Sequence, residues 1–390
     1  MNKYFEVVLA GILVFWPMLA ASAEEPVRIV VAEQSTSTLA PVDPRLQVDP
    51  GPGTFPADDI SDRLWNGHLM AGAGLYILKP YFQNNPAFFM QISGPLVPPS
   101  SGISAITALN QHDFPWGLDA APLAWVGYVS EGGFGVRARW WLFDQRSATS
   151  AVSDPNTTIV SASPAGLSTT TSPTLGRVIF EPSEMFLNSN LKLNVWDFEA
   201  TRETVVGRWM LLASAGFRYA HLSQDYNAFQ PFLTFHFSFP EPVEETSHLV
   251  DLLSAGHNFN GAGPTVALEA KRPMGNSGFS LFANLRGTML FGQSKQQVAR
   301  TTITQFGGPN VFGPPPRIDV FVSTVGSVRD VVLPVTELEM GAEFSGTLGA
   351  VRPFVRTGLV AQTWFDAGSA TKLDGNLGFL GLSVTAGLNY

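Results

Sequence analysis

The strongest constraint on this chain is a period of two, held over segments of about 10–15 residues. Between Gly278 and Gly292, Phe279, Leu281, Ala283, Leu285, Met289 and Phe291 share one face. Ser280, Asn284, Arg286 and Thr288 share the other, with Phe282 and Leu290 as exceptions. Between Val335 and Ser345, Leu338, Met340, Ala342 and Phe344 alternate with Glu337, Glu339, Gly341 and Glu343. From Arg208 to Ala220, Trp209, Leu211, Ala213, Ala215, Phe217 and Tyr219 alternate with Arg208, Ser214, Gly216 and Arg218. From Ala350 to Phe365, Val351, Val355 and Leu359 are set against Arg352, Arg356 and Gln362. Such alternation specifies strands, not helices.

A soluble sandwich alternates too, with its polar face to water. Three features favour a membrane barrel instead. The strands are long, where soluble ones average about 5–6 residues. The apolar face is continuous, and the opposite face carries Arg and Glu among Gly and Ser. The connections alternate between tight ones (Glu131-Gly132-Gly133, Thr201–Val206, Pro273–Ser277, Thr347–Ala350) and long ones near 80–120, 145–187 and 293–333. Short periplasmic turns with long outer loops are the habit of outer-membrane barrels.

Composition narrows the functional classes. Charged residues make up 14% of the chain, against about 25% in soluble domains. Net charge is −9, which argues against a nucleic-acid-binding face. Cysteine is absent, which excludes disulfides, thiolate metal sites and Cys nucleophiles. The amino end carries Lys3, an apolar run from Val7 to Leu19 and a small-residue Ala21-Ser22-Ala23 site. This is the pattern of a cleaved signal peptide over residues 1–23, too short for a spanning helix of about 20 residues. Residues 24–62, rich in Pro, Gly and Asp, read as a periplasmic linker. The barrel is expected over 63–390.

Ten alternating segments run from about residue 67 to the carboxyl terminus, and the 221–261 region has room for two more. The fold expected is therefore an all-β, transmembrane, antiparallel up-and-down barrel of about 12 strands, with 10 and 14 as the bounds; all are even. One segment breaks the pattern. Leu191, Leu193 and Val195 are apolar at odd positions, but Asp197 and Glu199 are odd while Trp196 and Phe198 are even. A β-bulge near Val195–Trp196, or emergence at the aqueous rim, is the expectation. The last strand alternates through Leu380, Leu382, Val384, Ala386 and Leu388 and ends on Tyr390. A terminal aromatic after alternating apolar residues resembles the signal read by the barrel-assembly machinery, so Leu388 and Tyr390 are assigned to it.

Several stretches resemble the Legionella-type major outer membrane protein family, which has many relatives in planctomycetes. They are Gly133–Trp141, Leu191–Glu199, Gly216–Tyr219, Phe259–Thr265 and Leu285–Gly287. Together they span most of residues 65–292. The resemblance implies a pore-forming barrel of the bacterial outer membrane. It brings no catalytic motif, and its solute preference does not transfer.

A charge facing lipid at the midplane costs about 2–4 kcal/mol for Arg or Lys. Parity therefore assigns Arg137, Arg139, Arg208, Arg218, Arg286, Arg352 and Arg356, with Glu269, Glu337, Glu339 and Glu343, to the lumen. Either these form opposed walls that orient passing solutes, or they pair and plug a narrow bore. The expected function is passive diffusion of small hydrophilic solutes or ions. The alternative is a plugged, structural or adhesive barrel whose surface loops bind a partner. An enzymatic reading rests only on His221 near Ser223 and Asp225, and His236 near Ser238; no enzyme activity is expected. H-E-x-x-H spacing and a phosphate loop are absent, so no cofactor and no metal is expected. Trp140, Trp141, Trp196, Trp209 and Trp364 read as interfacial anchors. Expected partners are outer-membrane lipid, lipopolysaccharide and the assembly machinery, with no nucleic acid; oligomeric state is open.

Overall fold

The computed structural model describes residues 67–95, 104–152, 157–162, 177–178, 184–236, 245–275, 277–306 and 317–390. The expected signal peptide and linker lie outside the described residues. The strands are β1 (His68–Phe82), β2 (Pro86–Pro95), β3 (Ser104–Asp113), β4 (Asp119–Val129), β5 (Phe134–Val152), β6 (Thr157–Ser161) and β7 (Arg177–Val178). Then come β8 (Glu184–Val206), β9 (Trp209–His236), β10 (Glu245–Pro273), β11 (Phe279–Phe306), β12 (Arg317–Ser345), β13 (Arg352–Trp364) and β14 (Leu377–Asn389).

Ten of them close into one antiparallel barrel, in the order β1-β4-β5-β8-β9-β10-β11-β12-β13-β14 and back to β1. Strands β3, β2 and β6 form a separate three-stranded sheet, and β7 adds a short pairing to β9. The count of ten is the lower of the sequence-based bounds, not twelve. The two extra strands expected in 221–261 are the outer halves of β9 and β10, which pair from Glu245–His236 down to Lys271–Met210 without a break.

The lipid-facing band is fixed by exposed apolar residues at alternate positions. On β11 it runs from Phe279 to Phe291, through Leu281, Leu285 and Met289. At about 3.4 Å per residue and a tilt of about 40°, this stretch rises about 30 Å, enough for a hydrocarbon band of about 25 Å. An aromatic rung closes each end. Phe279 lies opposite Phe344 on one side. On the other, Trp140 lies opposite Trp196, Trp196 opposite Tyr219, Tyr219 opposite Ala262 and Ala262 opposite Phe291. The turns Ser130–Gly133, Gly207–Arg208, Met274–Gly278 and Gly346–Val351 all lie at the Phe279 end, as do both ends of the barrel sheet.

The parity change in β8 has no bulge behind it. Odd positions from Met185 to Thr201 all point inward, and the register to β5 and β9 does not shift. What changes is the solvent outside. Within the band, Trp196 and Phe198 face lipid while Asp197 and Glu199 face the bore. Beyond it, Asn188 and Lys192 face water while Leu187, Leu191, Leu193 and Val195 fill an apolar core. The long strands β8 to β11 thus continue from the membrane barrel below into a soluble-type sheet above. The exceptions Phe282 and Leu290 on β11 also point inward.

A charged layer across the bore as candidate functional site

Basic and acidic side chains alternate by strand around the membrane part of the bore. Strand β5 carries Arg137 and Arg139, β8 Asp197 and Glu199, and β9 Arg218. Strand β10 carries Glu269 and Lys271, β11 Arg286, β12 Glu337, Glu339 and Glu343, and β13 Arg356. The inward parity of each strand aims these groups at one another. Asp197 accepts from Arg218 Nε at 2.5 Å and Nη2 at 3.0 Å, both residues being wholly buried. It also lies 3.5 Å from Arg139 Nε and 3.8 Å from Arg286 Nη1. Glu199 accepts from Arg137 at 2.8 Å and from Arg286.

Other pairs cross the bore. Glu337 on β12 accepts from Arg139 on β5 at 2.5 Å and reaches Arg218 on β9 at 3.4 Å. Glu269 on β10 lies 2.8 Å from Arg356 on β13 and 3.7 Å from Arg137 on β5. Nearer one wall, Glu343 accepts from Lys271 on β10 and from Arg356 Nε on the neighbouring β13 at 2.5 Å. The Arg356 guanidinium also lies 5.2 Å from the ring centroids of both Phe282 and Phe354. Glu339 is buried without an ion pair among the described residues.

Below this layer, at the short-turn end, lies a cavity of about 410 Å³. Arg137, Glu269, Lys271, Glu339 and Arg356 form its charged roof; Trp125, Phe354, Arg352 and Tyr390 line its walls and mouth. Above the layer the same bore is filled by apolar rings. Trp141 meets Tyr76 at 5.9 Å and Phe379 at 6.4 Å, and Phe379 meets Phe143 at 5.2 Å. The β13–β14 connection then folds inward. Ala367, Ser369, Ala370 and Thr371 are buried, Gln296 Nε2 donates to the Ala370 carbonyl at 3.1 Å, and Ala370 N donates to Gln224 Oε1 at 3.2 Å.

The residues selected by parity fall into three groups. Arg137, Arg139, Arg218, Glu269, Arg286, Glu337, Glu339, Glu343 and Arg356 converge on the layer. Arg352 sits lower, at the mouth of the cavity. Arg208 is misassigned: Gly207, at φ +64, makes a two-residue turn after β8 and leaves Arg208 exposed at the rim, not in the bore. Sequence reasoning missed Asp197, Glu199 and Lys271. Continuing the inward parity of Leu191–Val195 would have found the first two.

Tyr390 and Leu388 lie at the barrel seam, with Leu388 exposed to lipid and Tyr390 exchanging two backbone hydrogen bonds of 2.8 Å with Leu69. Trp196 and Trp209 are exposed in the band, but Trp141 and Trp364 are buried in the bore rather than anchored at an interface. His221 bonds Asn260 at 2.6 Å rather than Ser223 or Asp225; Ser238 lies outside the described residues. His257 Nε2 and Ser294 Oγ are 2.8 Å apart; both are buried, and His257 Nδ1 has no partner among the described residues.

A family model described as the Legionella pneumophila major outer membrane protein precursor matches residues 72–385. No curated protein matches the chain. Among solved structures, the outer membrane protease OmpT of Escherichia coli is similar at 11% identity and a TM-score of 0.36, over 83% of this chain and 96% of that one. A Pseudomonas aeruginosa FadL homologue gives 10% identity and a TM-score of 0.23, over 83% and 90%. The monoaromatic hydrocarbon channel CymD gives 8% and 0.22, over 84% and 89%. At these scores the likeness carries nothing about activity.

Proposed function

This chain belongs to the family of the Legionella pneumophila major outer membrane protein, and from that premise we propose that it is an outer-membrane channel for small hydrophilic solutes or ions, closed in the conformation described. One observation carries the reading: charged side chains fill the bore at membrane depth. A buried ion-pair network is no more stable than well-packed apolar residues of similar volume. This chain fills the adjacent layer of the same bore with Trp141, Trp364 and Phe379. Stability alone therefore does not account for the charges. A polar path across the band, opening at the short-turn end into the cavity beneath Glu339, does.

The closed state holds through three successive barriers: the cross-bore pairs, the aromatic layer and the inward β13–β14 connection. Passage requires all three to give way. The protein acts in this reading without enzyme chemistry, with outer-membrane lipid and lipopolysaccharide around it. The terminal strand ending at Tyr390 serves recognition by the assembly machinery.

The test is conductance across a planar bilayer with refolded protein. Discrete steps with a reproducible ion preference support the channel, and Glu339→Gln then lowers cation preference because it removes the unpaired carboxylate. A second reading, a sealed barrel that only presents its outer sheet, is favoured by the aromatic layer. A heat-modifiable but electrically silent protein would select it.

A further inference from the structure

Strand β12 has two neighbours only in its lower part. Its pairing to β13 ends at Val335, opposite Trp364. From there outward to Arg317 it pairs with β11 alone, and no described strand covers its other edge. The side chains are open to water on both faces: Val320 is 60% exposed, Phe321 69%, Val322 60%, Val325 70% and Val328 62%. From Val320 to Val328 there is no charge and no proline. Proteins normally blunt an exposed edge with such residues, because a long apolar edge recruits another strand. This one lies beyond the Phe291 end of the lipid band, so lipid does not cover it.

The charges flanking the stretch identify the occupant. Arg317 and Asp319 stand at one end, Arg329 and Asp330 at the other. We propose that this edge pairs antiparallel with the same edge of a second copy, about a two-fold axis through Thr324. That register sets Asp319 opposite the partner's Arg329, and the reverse, at both ends. Between them Val320 meets the partner's Val328. A two-fold centred on Ser323 instead sets Arg317 against the partner's Arg329, and one centred on Val325 opposes no two charges. Asp319 now pairs with exposed Arg317 at 2.7 Å, and Arg329 uses Nη2 on the Leu373 carbonyl. Both groups keep capacity for a partner, since a carboxylate has about four acceptor sites and a guanidinium five donors.

The direction of the strands fixes how the copies meet. In one membrane, β12 of every copy descends toward the bilayer, so two such edges run parallel. Antiparallel pairing requires copies from opposed membranes, joined head to head. With the long strands on the outside, as in outer-membrane barrels, the edge ties one cell surface to another. This inference rests on the barrel and its orientation, and not on whether the bore conducts.

The experiment uses the protein refolded in detergent, with mass measured by light scattering, and in phosphatidylcholine vesicles, with clustering followed by turbidity. Asp319→Arg and Arg329→Asp each put like charges in both symmetry-related contacts, so each should weaken the dimer at least about tenfold. The double exchange should restore it, and Thr324→Pro should abolish it. Heat-modified gel migration verifies that each variant retains the barrel. A monomeric, non-clustering wild-type protein overturns the proposal. So does clustering that survives Thr324→Pro, or a double exchange that fails to rescue. Dimers in detergent without vesicle clustering overturn the head-to-head geometry.

Discussion

Replacing Asp197 by alanine tests whether the charged layer is one coupled unit. The carboxylate touches Arg218 at 2.5 and 3.0 Å, Arg139 at 3.5 Å and Arg286 at 3.8 Å, so its removal strips the nearest counter-charge from Arg218 and a second counter-charge from Arg139 and Arg286. Arg218 and Arg286 are almost wholly buried and have no water to turn to. Breaking a buried pair by deleting one partner costs about 3–5 kcal/mol. The matched control is Asp144→Ala. Its pair with Lys192, at 3.6 Å, has side chains 46% and 47% exposed, and such a pair is worth about 0–1 kcal/mol. The two variants should therefore differ by at least about 2 kcal/mol, more than tenfold in the unfolding constant. Urea titration of protein refolded in lipid vesicles, followed by tryptophan fluorescence, measures both. Adding Arg218→Ala to Asp197→Ala should cost less than the sum of the single changes, because the second removes a charge already stranded. Equal losses in Asp197→Ala and Asp144→Ala, or additive losses in the cycle, would refute the coupled layer.

Three further outcomes follow from other parts of the barrel. Trp141→Ala should cost about 3–5 kcal/mol and raise bilayer conductance, because Trp141 contacts Tyr76 and Phe379 in the aromatic barrier; unchanged conductance would place the barrier elsewhere. Gly133→Ala should cost about 1–2 kcal/mol, since Gly133 sits at φ +76 and an added Cβ would lie 2.8 Å from the Glu203 carbonyl; Gly346→Ala, with nothing within 4 Å and no positive φ, is its neutral control in the same titration. Deleting Tyr390 removes the two backbone hydrogen bonds to Leu69 that extend the β1–β14 seam at its short-turn end, so refolding into vesicles, timed by gel migration, should slow while the apolar band stays intact.

The barrel was legible because lipid on one face and a polar bore on the other write a period of two that survives in β11, β12 and β14. The strand count was less legible because the same period continues past the membrane. Nothing local in Phe229–His236 marks it as the outer half of β9, since a strand emerging into water keeps its parity and changes only the polarity of its faces. The same cause produced the expected bulge at Val195–Trp196, where a uniform register meets a change of solvent. Arg208 was misread for a different reason: the turn residue Gly207 moves the strand start by two positions, and parity counted through a turn has no meaning. The pairing of the lumen charges could not be read at all. Arg139 and Glu337 are 198 positions apart, and only barrel closure sets them face to face.

The layer's accessibility is graded, and this bears on how the bore could open. Glu269, Lys271 and Arg356 reach the cavity and therefore meet ions entering from the short-turn end. Asp197, Arg218 and Glu337 are sealed above them. Salt screens exposed charges over about 8 Å at physiological strength but acts weakly on buried pairs. Ions can thus loosen the lower pairs while the upper triad holds opposite walls together. Since Glu337 binds Arg139 and Arg218 from different strands, freeing it breaks contacts to two walls at once. In the proposed channel, opening at that level would be collective, with the resistance of the bore in the sealed triad and the rings above it.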